Sequence, residues 1–515
     1  MQNAKNVDSS KAACLNETLL KATHERGAIG LIGLAVMGQN LALNFADHGF
    51  NVNVFNRTAE KTTKFLDEKA HKNITGHMTI ADFCSSLDVA GGRKRIIIMV
   101  KAGKIVDDQI EKLLPFLHAG DLLIDAGNSH EADTQRRMKF LADKGVYFAG
   151  AGVSGGEEGA RNGPSVMLGA PVEVKQEVLD LFQPIAATDF AQQKCCSYLG
   201  SGGAGHFVKT IHNGIEYGDM QLIAETFDFL RRGLKLGLDE IASIFQVWDQ
   251  GPLGGYLNEI TAEIIRHETK EHGRTVDTIL DVAAHKGTGR WSCEAALAQG
   301  HSLSLVYEAL ATRMVSSQLE LRKSLSKRYT NDFLENTSYE ESLGKVQSAL
   351  SVTSKEEALK ALENALWSSR LISYTQGFDL IRSYLLEHNE VFKGEEIARI
   401  WSGGCIIRSK LLENIYQAYQ NNPSVSHLLE SENLKQQLDC RLDDWQKIVC
   451  CFMQLGLPAG AFSTSLNYFR SVSCALLPTY LIQAQRDYFG AHTYERRDRE
   501  RGEKFHMQWQ SQSAQ

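Results

Sequence analysis

Prolines are scarce in this chain, and long apolar runs are missing. Eight prolines in 515 residues are too few to break helices often, although proline is the residue that interrupts a helix most strongly. No stretch approaches the roughly 20 apolar residues that a membrane-spanning helix needs. The sequence therefore predicts a protein with long helices and no contact with a membrane.

Disulfide and metal patterns are also missing. The ten cysteines form no CxxC pair, and Cys195 with Cys196 and Cys450 with Cys451 are adjacent, a poor arrangement for ordinary disulfides. Such cysteine usage is typical of a reduced protein, so we predict a cytoplasmic location and no bound metal.

The chain also has no excess of positive charge. The formal net charge is −7, which gives no reason to expect nucleic acid or an anionic membrane as a partner. An anionic substrate must therefore be held by local cationic groups. The hydrophobic fraction of 43% and the charged fraction of 23% are ordinary for a globular protein, and the length predicts two or three domains.

The pattern of apolar residues changes along the chain. Up to about residue 169, short β-rich runs alternate with helix-like stretches, and the runs are residues 28–32, 51–55, 95–100, 122–125 and 146–148. This alternation predicts βαβ units with a mostly parallel sheet. From about residue 203 onward, helical spacing dominates. The predicted fold is an α/β Rossmann-like N-terminal domain, a large all-α domain and a C-terminal tail.

The two ends of the chain differ in composition. Residues 1–27 lack the apolar core of a signal peptide and contain acidic residues that argue against a transit peptide, so we predict a flexible extension. The tail, residues 475–515, is polar but contains six aromatic residues that need burial: Tyr480, Tyr488, Phe489, Tyr494, Phe505 and Trp509. We expect it to dock on its own chain or on a partner's. The predicted domains are residues 28–202 and 203–474.

A dinucleotide fingerprint follows the first predicted strand. Small residues there let the backbone approach a pyrophosphate at the start of a helix, and the segment consists of Gly33, Leu34, Ala35, Val36, Met37 and Gly38. Ala35 replaces the usual second glycine. The strand–turn–helix context that such a motif requires is present.

The end of the second strand distinguishes between the two nicotinamide cofactors. NAD enzymes usually place an acidic residue there for the ribose 2′-hydroxyl. This chain has Asn56, Arg57 and Thr58, and a guanidinium suits a 2′-phosphate. We therefore predict NADP. Two further strand ends lie at the same sheet edge and add Val100, Lys101, Ala102 and Asn128.

A polar face marks residues 205–217 as the candidate catalytic helix. In a helix, five polar residues share an arc of about 140°: Lys209, His212, Asn213, Glu216 and Tyr217. A solvated helix face is the alternative. Gly214 and Gly218 argue against it, because glycine inside a helix indicates close approach of another backbone or a ligand. Lys209 can act as a base if burial lowers its pKa, and Glu216 as a proton donor.

These motifs together resemble the decarboxylating 6-phosphogluconate dehydrogenases. Seven blocks match that family in order: residues 33–38, 56–58, 153–161, 209–217, 285–289, 403–409 and 485–493. The resemblance implies a homodimeric enzyme that uses NADP to convert 6-phosphogluconate to ribulose 5-phosphate and CO2 without a metal. It implies that Lys209 is the base at the C3 hydroxyl and that Glu216 protonates C1 of the enediol.

The resemblance also implies a substrate site. Residues at the carboxylate and hydroxyl end would be Asn128, Ser154, Gly155, Gly156, His212 and Asn213. The phosphate would contact Tyr217, Lys286 and Arg313, with Arg486 and His492 supplied by the partner subunit. The chain departs from the family at Ala126, which replaces a glycine, and at Arg290, which replaces a lysine; Ala126 is expected to alter affinity through the Asn128 loop. The alternatives are a non-decarboxylating β-hydroxyacid dehydrogenase and an inactive NADP-binding regulator.

Overall fold

The computed structural model describes residues 26–88, 92–284, 287–329 and 336–509. The predicted extension lies outside these ranges except for Arg26 and Gly27, which already belong to the first strand. Lys286 and the end of the tail, residues 510–515, also lie outside them. The nine cysteines within the described ranges carry free thiols. No helix within these ranges is long and apolar enough to cross a membrane.

The N-terminal part is built on one eight-stranded sheet with the order β3-β2-β1-β4-β5-β6-β7-β8. The strands are β1 Arg26–Ile32, β2 Phe50–Phe55, β3 Ile74–His77, β4 Arg95–Ile98, β5 Leu122–Asp125, β6 Tyr147–Ser154, β7 Ser165–Gly169 and β8 Cys196–Gly200. Neighbouring strands are parallel except β6 and β7, in which Val153 pairs antiparallel with Val166. The predicted α/β fold class and its mostly parallel sheet are confirmed.

Helices cover the faces of this sheet, as parallel strands require. They are α1 Val36–Asp47, α2 Ala59–Glu68, α3 Ile80–Ser85, α4 Lys104–Leu113, α5 Glu131–Ala142, α6 Gly156–Asn162 and α7 Lys175–Phe182. Short 3-10 turns at Leu114–Phe116 and Gln183–Ile185 follow α4 and α7. The strand order reverses between β1 and β4, and ligands of open α/β sheets bind outside the carboxyl ends of the strands at such a point.

The rest of the chain is mainly helical. Its helices are α8 Ala204–Asp228, α9 Leu238–Gln250, α10 Tyr256–Arg266, α11 Thr288–Gln299, α12 Ser304–Ser316, α13 Leu319–Ser326, α14 Tyr339–Leu350, α15 Lys355–Glu387, α16 Gly394–Trp401, α17 Leu411–Asn421, α18 Glu432–Asp439, α19 Leu442–Leu455, α20 Gly460–Val472 and α21 Thr479–Gly490. A π-helical turn, Phe229–Gly233, follows α8. A short pair of strands, β9 Glu268–Thr269 and β10 Gly273–Arg274, interrupts the helices, as do 3-10 turns at Thr275–Thr278 and Leu428–Glu430. The predicted all-α region is confirmed.

Helix α15 forms the centre of the helical part. The helix runs for 33 residues from Lys355, and the preceding Ser354 caps it with a side chain that accepts a hydrogen bond from the Glu357 amide. Its middle section, residues 361–378, is buried all round, which is typical of a helix enclosed by other helices. Phe207 of α8 stacks on Tyr384 of α15 with 3.6 Å between ring centroids. Helix α8 is therefore held against the core of the second part.

The other side of α8 packs on the sheet. A β-carbon at Gly152 of β6 would lie 2.5 Å from the Lys209 β-carbon, and one at Gly205 would collide with the Met167 carbonyl. Glycines at these positions let the helix approach the strands closely. They also explain why the predicted strand at 146–148 is too short: Gly150 and Gly152 interrupt its apolar pattern, whereas the strand continues to Ser154.

The tail folds on itself around Asp487. The buried carboxylate of Asp487 accepts hydrogen bonds from the Thr493 and Met507 amides, from His506 Nδ1 and from Trp509 Nε1, at 2.8–3.0 Å. Many of the apolar side chains of the tail stay exposed in the single chain; Tyr480 is 58% and Phe489 is 72% exposed. The tail therefore presents an apolar surface that its own chain leaves open.

Candidate active site

The turn after β1 forms the predicted cofactor cradle. Gly33 has φ +104, and a β-carbon there would collide with the Met99 carbonyl; one at Gly38 would collide with the Gly33 carbonyl. Leu34 is buried, whereas Ala35 and Val36 are exposed where α1 begins, and its first turn carries no acidic residue. An exposed helix N-terminus without negative charge is suited to a phosphate group.

The segment after β2 lies beside this turn. Asn56 accepts a hydrogen bond from the Leu34 amide at 3.1 Å and donates one to the Thr58 carbonyl at 3.0 Å. Its amide therefore holds the two loops together. Arg57 and Thr58 are exposed, and no hydrogen bond or ion pair of the Arg57 side chain occurs within the described ranges.

Two more loops reach the same edge of the sheet. Lys101 is exposed in the loop after β4, with Val100 and Ala102 half-buried beside it, and Asn128 is exposed in the loop after β5. Strands β1, β4 and β5 are neighbours in the sheet, so these loops follow one another at the switch point.

The polar face of α8 lies inside the protein. Lys209 is 6%, His212 0% and Asn213 9% exposed, so a solvated polar face is excluded. Lys209 Nζ donates to Asn213 Oδ1 at 2.6 Å and lies 3.2 Å from His212 Nδ1. His212 Nε2 lies 3.1 Å from Ser154 Oγ at the end of β6. These contacts join both parts of the chain in one hydrogen-bonded cluster.

Burial determines the protonation of this cluster. It lowers the pKa of Lys209 to about 8, against the opposing effect of the Glu216 carboxylate. Burial and the Lys209 charge hold the pKa of His212 well below its usual range, so the imidazole is neutral at physiological pH. A lysine that can lose its proton near neutral pH is suited to general base catalysis.

Glu216 lies two helical turns after Lys209 and is half-buried. Burial raises the pKa of its carboxyl group, although the Lys209 and Arg313 charges oppose the shift. A raised pKa keeps more of the carboxyl group protonated, which an acid needs. The helix therefore carries a candidate base and a candidate acid with opposite pKa shifts.

The loop between β6 and α6 is formed by glycines. Gly155 has φ +131 and Gly156 has φ +62, conformations that side-chain-bearing residues rarely adopt. A β-carbon at Gly155 would collide with the Gly404 carbonyl. The backbone of this loop therefore packs directly against the 403–409 segment of the helical part.

The residues that are predicted to contact the substrate phosphate lie in two regions. The Arg313 guanidinium stacks over the Tyr217 ring at 3.6 Å from its centroid, and its Nη1 donates to the Ala284 carbonyl at 3.3 Å. Ala284 directly precedes His285 and Lys286, which are outside the described residues. Arg486 and His492 are exposed in the tail; Arg486 bonds to Gln483, and His492 contacts Phe489. One chain thus brings together Tyr217 and Arg313 but keeps the contacts of Arg486 and His492 within the tail.

Comparisons with known proteins cover both parts of the chain. The family described as the NAD binding domain of 6-phosphogluconate dehydrogenase matches residues 28–200, and the family described as the C-terminal domain of that enzyme matches residues 205–509. The chain belongs to the 6-phosphogluconate dehydrogenase family. The family predicted from the seven motifs is confirmed.

Individual relatives agree with this assignment. A decarboxylating 6-phosphogluconate dehydrogenase from Aggregatibacter actinomycetemcomitans is 43% identical over 94% of this chain and 96% of its own. An NADP(+)-dependent, decarboxylating enzyme from Bacillus subtilis is 42% identical over 93% of this chain and 98% of its own. The solved 6-phosphogluconate dehydrogenase of Plasmodium falciparum, described with NADP+ and with 6-phosphogluconate, is 37% identical with a TM-score of 0.86, over 94% of this chain and all of its own.

Gly214 and Gly218 of α8 do not have the neighbours that the sequence predicts. A β-carbon at Gly214 would lie 2.8 Å from Ser292 Oγ, and one at Gly218 would lie 2.7 Å from Ser373 Oγ and collide with Leu305. Side chains of α11, α12 and α15 therefore approach α8 here, not another backbone or a ligand. The prediction was wrong because spacing alone does not reveal which element packs on a helix.

Two residues beside the cluster of Lys209, His212 and Asn213 are not among the site residues that the sequence predicts. The Trp401 ring meets the His212 ring edge-on, with 5.4 Å between centroids. The Cys405 thiol donates to the Trp401 carbonyl at 2.9 Å, and burial raises its pKa to about 12, so it is neutral beside Lys209. Trp401 is the last residue of α16, and Cys405 lies in the segment that follows, about 190 residues after α8 in the sequence. The 403–409 motif contains Cys405 but gives no sign of its contact with this cluster. Within the described ranges, no group of three or more His, Cys, Asp and Glu residues is placed to hold a metal.

Proposed function

We propose that this chain oxidises and decarboxylates 6-phosphogluconate to ribulose 5-phosphate and CO2, reducing NADP. The observation that carries the proposal is the buried Lys209, whose pKa is lowered to about 8 and whose Nζ is held by Asn213 and His212. A neutral amine at that position can take a proton from a substrate hydroxyl. The names of the relatives supply the substrate and cofactor.

The residues of the first part fit NADP. Gly33 and Gly38 keep space that β-carbons would fill, the start of α1 is free of acidic residues, and Arg57 is exposed where a 2′-phosphate would lie. The proposed contacts come from four segments: residues 33–38, 56–58, 100–102 and Asn128. When bound, NADP accepts the hydride from C3 of the sugar acid.

Lys209 performs the proton transfers at the C3 oxygen. The neutral amine takes the C3 hydroxyl proton while the hydride leaves, so that C3 becomes a ketone. The resulting ammonium group returns a proton to the C3 oxygen as the C1 carboxylate leaves as CO2, and the bonding electrons form an enediol. No further electron acceptor is needed, because the β-keto group takes up that electron pair.

Glu216 completes the reaction. Its protonated carboxyl group donates a proton to the carbon that lost CO2, which becomes C1 of ribulose 5-phosphate. Lys209 takes the enediol proton as the ketone forms.

Six residues hold the carboxylate and hydroxyl end of the substrate: Ser154, Gly155, Gly156, His212, Asn213 and Asn128. The neutral His212 links the base to Ser154 and can donate one proton in hydrogen bonding.

The substrate phosphate is proposed to lie near Tyr217 and Arg313. Lys286, two positions after the Ala284 that Arg313 contacts, is proposed to bind it as well. Arg486 and His492 come from the tail of a partner subunit in a homodimer. The exposed apolar surface of α21 supports this arrangement, because apolar patches of this kind mark interfaces. Exposed apolar side chains on the helical part, among them Leu280 at 62% and Leu297 at 77%, offer a matching surface.

The predicted domains follow from these roles. Residues 28–202 bind NADP and contribute Asn128 and residues 154–156 to the substrate site. Residues 203–474 supply the rest of the substrate site and most of the dimer contact, and residues 475–515 reach the partner. The free thiols of the described cysteines are compatible with a cytoplasmic location, since reducing compartments preserve thiols.

A direct assay tests the proposed function. Protein, NADP and 6-phosphogluconate are mixed with a chelator, and NADPH absorbance and released CO2 are followed together. We expect both signals in equal amounts. Absorbance without CO2 would favour a non-decarboxylating dehydrogenase, and the absence of both would favour an inactive NADP-binding regulator.

Replacing Arg57 with methionine should raise the KM for NADP about 10- to 100-fold, because a charge-assisted contact to the 2′-phosphate is lost. The kinetic constants with NAD should change little. Comparing kcat/KM for the two cofactors measures the effect, and Lys64→Met, at an exposed lysine on the neighbouring helix α2, serves as the control. An unchanged preference for NADP over NAD would refute the role of Arg57.

The sharing of one site between two subunits is tested by mixing two variants, each of which is nearly inactive at a 6-phosphogluconate concentration below the wild-type KM. Arg486→Met should raise the KM for 6-phosphogluconate about 10- to 100-fold, and Lys209→Met should lower turnover by about a thousandfold or more. A hybrid dimer has one site with an intact Lys209 and the partner's intact tail, so dissociation and reassociation of an equal mixture should restore about a quarter of wild-type activity.

If the tail serves its own subunit, the mixture recovers no activity. Arg496→Met is the matched tail control, because Arg496 is exposed and pairs with Asp498; it should keep the wild-type KM.

A further inference from the structure

Arg137 is a buried arginine on α5 that joins two loops of the active-site cleft. Its side chain is 1% exposed. Nε and Nη2 donate to the Asp107 carboxylate at 2.8 and 3.1 Å, and Nη2 also donates to the Gly103 carbonyl at 2.9 Å. Nη1 lies 3.5 Å from both Asp125 Oδ2 and Ser129 Oγ. The guanidinium therefore contacts two separate segments.

One of these segments is the cofactor loop. Gly103 directly follows residues 100–102 and precedes α4, with φ +89. Asp107 lies in the first turn of α4. Arg137 thus holds both the end of the loop and the start of the helix that follows it, and the position of the exposed Lys101 depends on these anchors.

The other segment carries Asn128. Asp125 Oδ1 accepts from the Gly127 amide at 3.0 Å, and Asp125 Oδ2 accepts from Ser129 Oγ at 2.6 Å. The residues on both sides of Asn128 are therefore fixed by one buried carboxylate, and Arg137 lies against that carboxylate. Asn128 itself is exposed.

We infer that Arg137 is a positioning residue that sets the Asn128 loop relative to the cofactor loop, so that cofactor and sugar acid are held in one geometry. The planar guanidinium presents its donors in a fixed fork. The two carboxylates that it contacts, Asp107 and Asp125, are partly buried and buried. A shift of either loop is therefore transmitted to the other. This inference rests on the proposed function, which assigns residues 100–102 and Asn128 to the ligands.

Arg136 supplies a matched control. It is adjacent in sequence and donates to the same Asp107 carboxylate at 2.9 and 3.1 Å, but its side chain is 55% exposed and its other partner is Asp133. Substituting it removes a similar ionic contact without touching Gly103, Asp125 or Ser129.

The test compares Arg137→Lys with Arg136→Lys. Lysine keeps the charge but cannot reach both loops with a planar fork. We expect Arg137→Lys to lower kcat about 10- to 100-fold, as misplaced reacting groups do, and to raise the KM for both ligands. Arg136→Lys should stay within about twofold of wild type, like most exposed substitutions. Concentrations of active sites are determined by NADP titration.

If Arg137 only stabilised the fold, Arg137→Lys would have a different effect. It would lower the midpoint of thermal unfolding and the number of active sites, whereas kcat per site and both KM values would stay at wild-type values. That result overturns the inference. Two further variants separate the ends of the bridge: Asp107→Asn should affect the KM for NADP more, and Ser129→Ala the KM for the sugar acid more. The reverse pattern also overturns it.

The proposed function is judged separately, by the unmodified protein. If wild type turns over 6-phosphogluconate and Arg137→Lys matches it in every constant, the inference alone fails. If wild type shows no turnover, the proposed function fails. In that case calorimetric titration with NADP still tests the cofactor end of the bridge, where Arg137→Lys should weaken binding relative to Arg136→Lys and equal binding would overturn the inference.

Discussion

Lys209→Met is expected to lower kcat by about a thousandfold or more, because general base catalysis contributes about 10²–10⁴-fold and the same amine also acts in the later proton transfers. Methionine has a similar length and suits a side chain that is 6% exposed, so the fold should be kept. NADP and 6-phosphogluconate should still bind, as calorimetry can measure. Turnover near the wild-type value would remove Lys209 from the mechanism.

The pH profile gives this prediction a second readout. The base must be neutral, and the pKa of Lys209 is lowered to about 8. Wild-type kcat/KM should therefore rise with pH up to about 8 and then level off, because the ammonium form dominates below the pKa. The residual activity of Lys209→Met should lack this limb. Lys435→Met, at an exposed lysine paired with Asp439, should retain the full profile.

Glu216→Gln is expected to lower steady-state kcat about 100- to 1000-fold, since the proton donor to the enediol is lost. The first half of the reaction does not need this donor. A rapid-mixing experiment should therefore show one equivalent of NADPH formed at a near-normal rate, followed by slow turnover. Lys209→Met should show no such burst.

The burst distinguishes the two roles. If Glu216→Gln loses the burst together with turnover, Glu216 acts before or during oxidation, and its assignment as the final proton donor is wrong. Glu432→Gln is the control, because Glu432 is on α18, where its carboxylate accepts a hydrogen bond from Gln436 of the same helix. Its burst and turnover should both equal those of wild type.

Opposite pKa shifts on one helix explain why these two residues can share the chemistry. Burial disfavours charge on both: it lowers the pKa of Lys209 and raises that of Glu216. The mutual attraction between ammonium and carboxylate opposes both shifts, so each charge moderates the other. Removal of either residue should therefore alter the titration of the one that remains.

Much of the sheet could be predicted from the sequence, and the strands that the sequence did not predict, β3, β7 and β8, were missed for local reasons. Strands β1, β2, β4, β5 and β6 coincide with apolar runs. Strand β3 is four residues long with only one strongly apolar member, Ile74, and β7 and β8 are five-residue segments that end in glycine. Such short segments reveal little periodicity, and their pairing with neighbouring strands, not their own composition, makes them strands.

The sequence by itself determined the α/β and all-α division, the glycine cradle, the arginine that replaces an acidic residue after β2, and the shared face of Lys209, His212, Asn213 and Glu216. These features are encoded locally, in spacing and residue type. Only the tertiary structure decided that this face is buried, that Ser154 and Trp401 meet His212, and that Arg137 spans two loops. Such contacts join segments far apart in the chain, and burial, which sets the pKa of Lys209, arises only when those segments pack together.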